Sequence, residues 1–300
     1  MLIFDAHNDV ASALYKKKAS LVKNNFHIDL ERLLSIEEHK IALCCAVFVN
    51  PVLKEQFNKR FCEILDYFTS QINQNDDKIG LLGFDKKVCV IYSVEGGEVF
   101  EGKEENLDSF YKKGVRVVSL TWNYTNELSG GCLEPKVGLT NLGKRFLEKI
   151  SRLNMILDVS HISDRAFVQI CSLYKGKMIA SHSNARAVCD NIRNLTNRQL
   201  CMIRQKNGVV GINLYPPLVG NMSKCKIDDV IMHIEHIAGL IGVEHVGFGF
   251  DFDGVDYLPE GIRGVEDVEK IIDYLLRLNY SYKDVEKIAG KNFYKMITNV

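Results

Sequence analysis

Five groups of polar residues in this chain stand where short apolar runs end. The first run closes in Asp5-Ala6-His7-Asn8-Asp9, which sets His7 and Asp9 two apart, on the same side of an extended chain. A later run closes in Val94-Glu95-Gly96-Gly97, where the glycines let the backbone turn sharply behind the carboxylate. Two more end in Asp158-Val159-Ser160-His161 and Ala180-Ser181-His182-Ser183-Asn184, and the last in Gly249-Phe250-Asp251-Phe252-Asp253-Gly254. Imidazole and carboxylate together suit zinc and similar divalent cations. A glutamate shared between one histidine–carboxylate pair and one histidine pair would hold two such ions about 3.5–4 Å apart. A lone histidine at a strand end is usually an ordinary hydrogen-bonding side chain. Five coincident groups favour a metal centre.

The elements that must position these groups follow from the pattern of apolar residues. Runs at Leu2–Ala6, Ile41–Val49, Val88–Val94, Val115–Thr121, Met155–Val159, Lys177–Ala180, Gly208–Leu214 and Val246–Phe250 are rich in Val, Ile and Leu. They show little polar alternation, as parallel strands buried on both faces do. Helical patterns lie between and after them at Lys54–Asn73, Glu104–Lys113, Asn141–Leu153, Ser163–Tyr174, Thr196–Lys206, Asp228–Ile241, Val265–Leu278 and Ser281–Ile297. Ser163, Thr196 and Ser281 are the start signals. Eight strands alternating with helices predict an α/β chain folded as a (β/α)8 TIM barrel, one domain over residues 1–300, whose chemistry sits at the C-terminal strand ends. The rival is a doubly wound open sheet, but no glycine-rich phosphate cradle follows the first strand.

Lysine plus arginine number 38 and aspartate plus glutamate 38, so the formal charge is 38 − 38 = 0. A nucleic-acid partner needs clustered positive charge and is not expected. Apolar residues at 46% supply enough core to offset the entropy of ordering the chain, which argues against disorder. Nine cysteines, with no CxxC pair, read as reduced thiols of a cytoplasmic protein. No stretch reaches the roughly 18–20 apolar residues of a membrane span, and the N-terminus has no signal-peptide pattern. His27, His39, His233, His236 and His245 are assigned to structure or solvent; the last precedes the eighth run, at the opposite end of a barrel from the chemistry.

The motifs DAHNDV, SVEGGE, GVRVVSLTWN, GLTNLGKRFLEKISRLNMILDVSHIS, IASHSNARAVCDNIRNLT, GVVGINLYPP and HVGFGFDFDG run in order along nearly the whole chain. In them the sequence resembles the membrane dipeptidase (renal dipeptidase) family of binuclear zinc peptidases, in its bacterial-type cytosolic form. The resemblance implies two zinc ions per chain, with other divalent metals possible. His7 and Asp9 would bind one ion and His161 and His182 the other, with Glu95 bridging. It further implies that Arg193 binds the free carboxylate of a dipeptide and that Asp251 exchanges protons with the attacking water. The implied activity is hydrolysis of a dipeptide's peptide bond by a hydroxide bridging the two ions, in a homodimer. Asp253 is the competitor for the acid role and is read instead as a turn residue beside Gly254.

One departure stands out: Trp122, the single tryptophan, takes the place of a histidine found in better-known members. Indole donates one hydrogen bond but neither accepts nor titrates. Asn123, or else Tyr124 or Asn126, is the candidate to supply a donor to the substrate. The alternatives are a metal-dependent amidohydrolase acting on an N-acyl amino acid, ester or lactone, and a metal-binding homologue without catalysis.

Overall fold

Nine strands and twelve α-helices are present among the residues described by this computed structural model, namely 1–53, 56–222 and 224–298. The strands are β1 (Leu2–Asn8), β2 (Lys40–Phe48), β3 (Ile79–Leu81), β4 (Val88–Glu95), β5 (Val115–Ser119), β6 (Ile156–Asp158), β7 (Met178–Ile179), β8 (Val210–Ile212) and β9 (Val246–Phe248). Every ladder is parallel, in the order β7-β6-β5-β4-β2-β1-β9-β8. A bridge between Ala180 and Val210 joins the two ends of that order, so eight strands close into a barrel and the open-sheet rival is excluded. All eight expected runs are barrel strands. β3 is the addition, pairing Ile79–Leu81 with the first half of β4. Three residues with a central glycine carry too little apolar pattern to be read as a strand.

Alternation along the strands divides the core in two. Phe4 and Ala6 of β1, Ala42 and Cys44 of β2, Cys89 and Ile91 of β4, Val117, Ile156 and Ile179 form the cluster inside the barrel. Their neighbours, such as Ile41, Leu43, Val88 and Val90, pack outward in the larger cluster with the helices. Continuing the inward parity two residues onward gives Ser93, Ser119, Asp158 and Ser181, all buried. The barrel interior therefore changes from apolar below to polar above, beneath the strand ends.

The helices lie where their patterns place them, with physical exceptions. The helix expected from Lys54 is α3 at Phe57–Asn73; Lys54 and Glu55 lie outside the described residues. Ser163, Thr196 and Ser281 each cap a helix, their side chains accepting from the N–H groups of Ala166, Gln199 and Asp284. Val10–Lys17 (α1) and Leu30–Ser35 (α2) are additional short helices before β2. The closing helix is not continuous. Tyr282–Glu286 and Asn292–Thr298 flank a π-helical turn at Lys287–Lys291. That turn sets Gly290 against the Leu2 carbonyl, where a Cβ would collide, and brings Phe293 and Ile297 under the barrel as its apolar floor.

Candidate metal centre

Each expected ligand arrives on a different strand end, by a different local device. His7 belongs to the end of β1, where the register against β2 shifts between Asp5 and Asn8. Asp9 follows as the residue before α1, its N–H donating to the Phe252 carbonyl at 2.8 Å. Glu95 ends β4, and Gly96, at φ +90°, turns the chain away with its N–H on the Ser119 hydroxyl at 2.9 Å. His161 and Asp251 occupy the left-handed region, at φ 67° and 64°, where only a few per cent of non-glycine residues lie. The Asp251 N–H is held by the His7 carbonyl at 3.0 Å.

The six side chains meet. Glu95 Oε1 lies 3.0 Å from His161 Nε2, 3.6 Å from His182 Nε2 and 3.7 Å from His7 Nε2. The Nε2 atoms of His161 and His182 are 2.8 Å apart. His7 Nε2 is 3.4 Å from Asp9 Oδ2 and 4.0 Å from Asp251 Oδ1. Three subsets, His7–Asp9–Glu95, Glu95–His161–His182 and His7–His182–Asp251, bring one donor atom per residue within a few ångströms of the others.

Donor chemistry is the test of whether cations fit. His7 Nε2 and Asp9 Oδ1 are buried and have no hydrogen-bond partner among the described residues. An orphaned buried polar atom costs roughly 1–3 kcal/mol, and a cation in the cluster would satisfy both. Electrostatics agree. Burial alone would lower His7, but the carboxylates of Glu95, Asp9 and Asp251 overcome it and push the imidazole up to about 10. Burial raises Glu95 well above the usual carboxylate range and raises Asp251 as well. Burial, followed by the charges of Arg193 and His7, holds His161 and His182 well below their ordinary value. Without cations the cluster holds protons in their place, on His7 and on the raised carboxyls. This carboxylate and imidazole set is one that divalent cations of the zinc kind would occupy by displacing those protons.

A cavity of about 370 Å³ opens over the cluster and is lined by Asp9, Glu95, His161, Asp251 and Arg193. Its remaining walls are mainly apolar, from Phe48, Trp122, Leu133, Ile192, Leu218 and Val255. Trp122 lies tilted against Phe48 and edge-on to Tyr124, at 5.1 and 5.6 Å between ring centres, and stands 6.2 Å from the His161 ring.

Arg193 is buried, its Nε donating to His161 Nδ1 at 3.0 Å, Nη1 to the Ser183 hydroxyl and Nη2 to the His182 carbonyl. Of five guanidinium N–H groups, one on each Nη remains uncommitted among the described residues. Asn123 also lines the cavity, and its Oδ1 lies 2.7 Å from the same His161 Nδ1. One imidazole nitrogen serves a donor or an acceptor, so Arg193 and Asn123 compete for it.

Asp253 faces elsewhere. Its Oδ1 accepts the His27 N–H at 2.6 Å and its own N–H donates to His27 Nδ1 at 2.9 Å; burial pushes its carboxyl up to about 7. The other four histidines also have protein partners. His233 accepts from the Ala185 N–H and donates to the Val219 carbonyl, His236 meets Asn197, and His245 meets the Gly208 carbonyl. His39 lies between the N-terminal amine and Glu269.

Two contributors escaped the sequence reading. Asn213 donates to Asp251 Oδ2 at 2.9 Å, which leaves Oδ1 toward His7. It directly follows β8, the same kind of position as the candidate ligands, and that was its signal. Gly254 backs both Asp9 and Asp251 so closely that a Cβ would stand 2.5 Å from Asp251 Oδ1 and nearer still to Asp9 Oδ2. Nothing in the sequence announces that contact.

The sequence matches the membrane dipeptidase family, peptidase family M19, over residues 1–300. It is 31% identical over 232 residues to an uncharacterized protein in the pqqA 5′ region of Klebsiella pneumoniae, covering 72% of this chain and 83% of that one. With human dipeptidase 3 it shares 29% over 228 residues, 74% of this chain but 46% of the human protein, so it spans about half the length of that relative. The fold superposes with a TM-score of 0.89, at 22% identity and 99% coverage of both chains, on a metallo peptidase from Rhodobacter sphaeroides solved with a phosphinate mimic of the dipeptide L-Ala-D-Ala. The chain belongs to the membrane dipeptidase family, peptidase family M19.

Proposed function

We propose that this protein is a metal-dependent dipeptidase that hydrolyses dipeptides bearing a free C-terminal carboxylate. The observation that carries the reading is the meeting of His7, Asp9, Glu95, His161, His182 and Asp251 in one cluster, four of which line a cavity that Arg193 also lines. Two cations, zinc foremost, would be held by the first five of these residues. When bound they would polarise the scissile carbonyl and acidify a water molecule.

The chain's own groups account for the rest. Glu95, buried among three imidazoles, supplies the negative charge shared by both halves of the site. Asp251 is the general base and then acid: Asn213 occupies Oδ2, so Oδ1 takes the proton of the attacking water and returns it to the leaving amine. The uncommitted N–H on each Nη of Arg193 offers a two-point grip on a carboxylate. Asn123, with its oxygen on His161, keeps its amide N–H₂ for the substrate. The apolar walls with Trp122 accept small apolar side chains rather than a second charge. The dipeptide mimic held by the Rhodobacter sphaeroides neighbour supports a substrate of this size. A homodimer, implied by the resemblance, belongs to the same proposal.

Zinc-loaded protein, assayed on L-L and L-D dipeptides, their C-terminal amides and N-acyl amino acids with and without chelator, tests the reading. Dipeptide hydrolysis should vanish with chelator, and amides should be poor substrates. Arg193→Ala should raise KM for dipeptides and narrow the gap between acid and amide. Equal turnover of amides, or activity in protein with no metal, would refute it; a preference for N-acyl amino acids would favour the amidohydrolase alternative.

A further inference from the structure

We propose that Ser181, held by Asp158, is a positioning residue that sets which ring nitrogen of His182 carries hydrogen and so keeps Nε2 bare toward the cluster. This rests on the metal-centre reading above. All three side chains are buried in the polar upper layer of the barrel, with Asp158 at 4% exposure and Ser181 and His182 at 1%. Of the candidate ligands, His182 is the one Ser181 holds closely, with His7 Nδ1 at the outer edge of its reach.

Hydrogen accounting carries the inference. Asp158 Oδ1 accepts two backbone N–H groups, those of Ser160 and Ser181, both at 2.9 Å. Its Oδ2 meets the Ser181 hydroxyl at 2.5 Å. A carboxylate offers only lone pairs, so the single hydroxyl proton of Ser181 must point at Asp158. Ser181 Oγ then presents lone pairs alone to its next neighbour, His182 Nδ1, at 2.7 Å. That nitrogen must therefore be the N–H. A neutral imidazole has one N–H, which leaves Nε2 as the bare nitrogen, the atom 3.6 Å from Glu95 and 2.8 Å from His161 Nε2. The same Oγ lies 3.4 Å from His7 Nδ1, at the outer edge of hydrogen-bond range but with the same polarity.

The relay is built, not incidental. The two backbone N–H groups on Oδ1 already anchor the loops after β6 and β7, so the third contact is not needed to close them. Gly211 and Gly249 make room for this stretch, since a Cβ at either would collide with the Ser181 carbonyl. A partner that orients a metal-ligating histidine typically accounts for 10–100-fold in metal affinity.

Asp158→Asn and Ser181→Ala separate this role from packing. With its oxygen kept by the backbone N–H groups, the asparagine amide would donate to Ser181 Oγ. The hydroxyl proton would then turn to His182 Nδ1 and drive the ring hydrogen onto Nε2. The first readout is ¹⁵N-histidine NMR of metal-free protein, where the unsubstituted chain should show His182 as the Nδ1–H form and Asp158→Asn should shift it toward Nε2–H. The second is zinc affinity by chelator competition, expected to fall about 10–100-fold in each variant. It is read beside metal-free thermal stability, which Ser181→Ala lowers by leaving Asp158 Oδ2 and His182 Nδ1 without their partner. An Nε2–H His182 in the unsubstituted metal-free protein overturns the proposal without any variant. Tight zinc binding by the parent with unchanged affinity in both variants also overturns it. Failure of the parent to bind zinc, with His182 in the Nδ1–H form, would instead sink the metal-centre reading and leave the hydrogen-bond assignment standing.

Discussion

Gly254→Ala is the substitution that asks most sharply whether the site depends on its close packing. Gly254 is not among the positive-φ glycines, so alanine fits its backbone without strain. The new methyl would instead stand 2.5 Å from Asp251 Oδ1 and closer to Asp9 Oδ2, where ordinary contact begins at 3.4 Å. The Asp251 carboxylate must move by 3.4 − 2.5 = 0.9 Å, and Asp9 by somewhat more. Both belong to the proposed machinery, and a misplacement of about 1 Å typically costs on the order of 10²-fold in rate. That corresponds to about 2.7 kcal/mol of transition-state stabilisation. The assay is kcat/KM for the best dipeptide, beside zinc content and the thermal stability of metal-free protein. The expected result is a roughly hundredfold loss with near-parental metal-free stability. A variant with full kcat/KM and full zinc content would show that neither carboxylate needs its position, and the reasoning would fail.

Two further outcomes follow from the same structure. Glu95→Gln removes the charge shared by three imidazoles, so zinc content after dialysis should drop from near two per chain to below one; a variant that retains two would remove Glu95 from the centre. His233 offers a pH test away from that site. Burial holds it at about 4 while its ring accepts from Ala185 and donates to Val219. Because the folded-state value is depressed below the roughly 6.5 of an unfolded chain, the contribution is full above that value and is lost as pH falls toward 4. Between pH 7 and 5 this histidine should cost about 2 kcal/mol of stability. Urea unfolding of the parent against His233→Gln isolates the effect, and equal pH dependence in the two would contradict it.

Much of the site was legible because its residues are chain-local. His7 with Asp9, Glu95 before two glycines, and His161, His182 and Asp251 each sit at the end of an apolar run. A parallel barrel puts all such ends on one rim. Residue type and strand pattern together therefore single out the candidate rim residues before any distance is known. The short strand β3 and the π turn at Lys287–Lys291 were not legible, since three residues carry no period and a π turn answers to Gly290 packing on Leu2.

Sequence by itself determined the alternation of strands and helices, the caps at Ser163, Thr196 and Ser281, and the identity of the rim residues, all set by contacts within a few positions. Tertiary structure alone decided how those residues act on one another. The register shift at the end of β1, the left-handed backbone at His161 and Asp251, and the approach of Gly254 to Asp9 come from the closed barrel. So do Asn213 on Asp251 and the proton order from Asp158 through Ser181 to His182. Which atom donates and which accepts depends on what meets in space, and groups 23 or 38 residues apart meet only after the chain has folded.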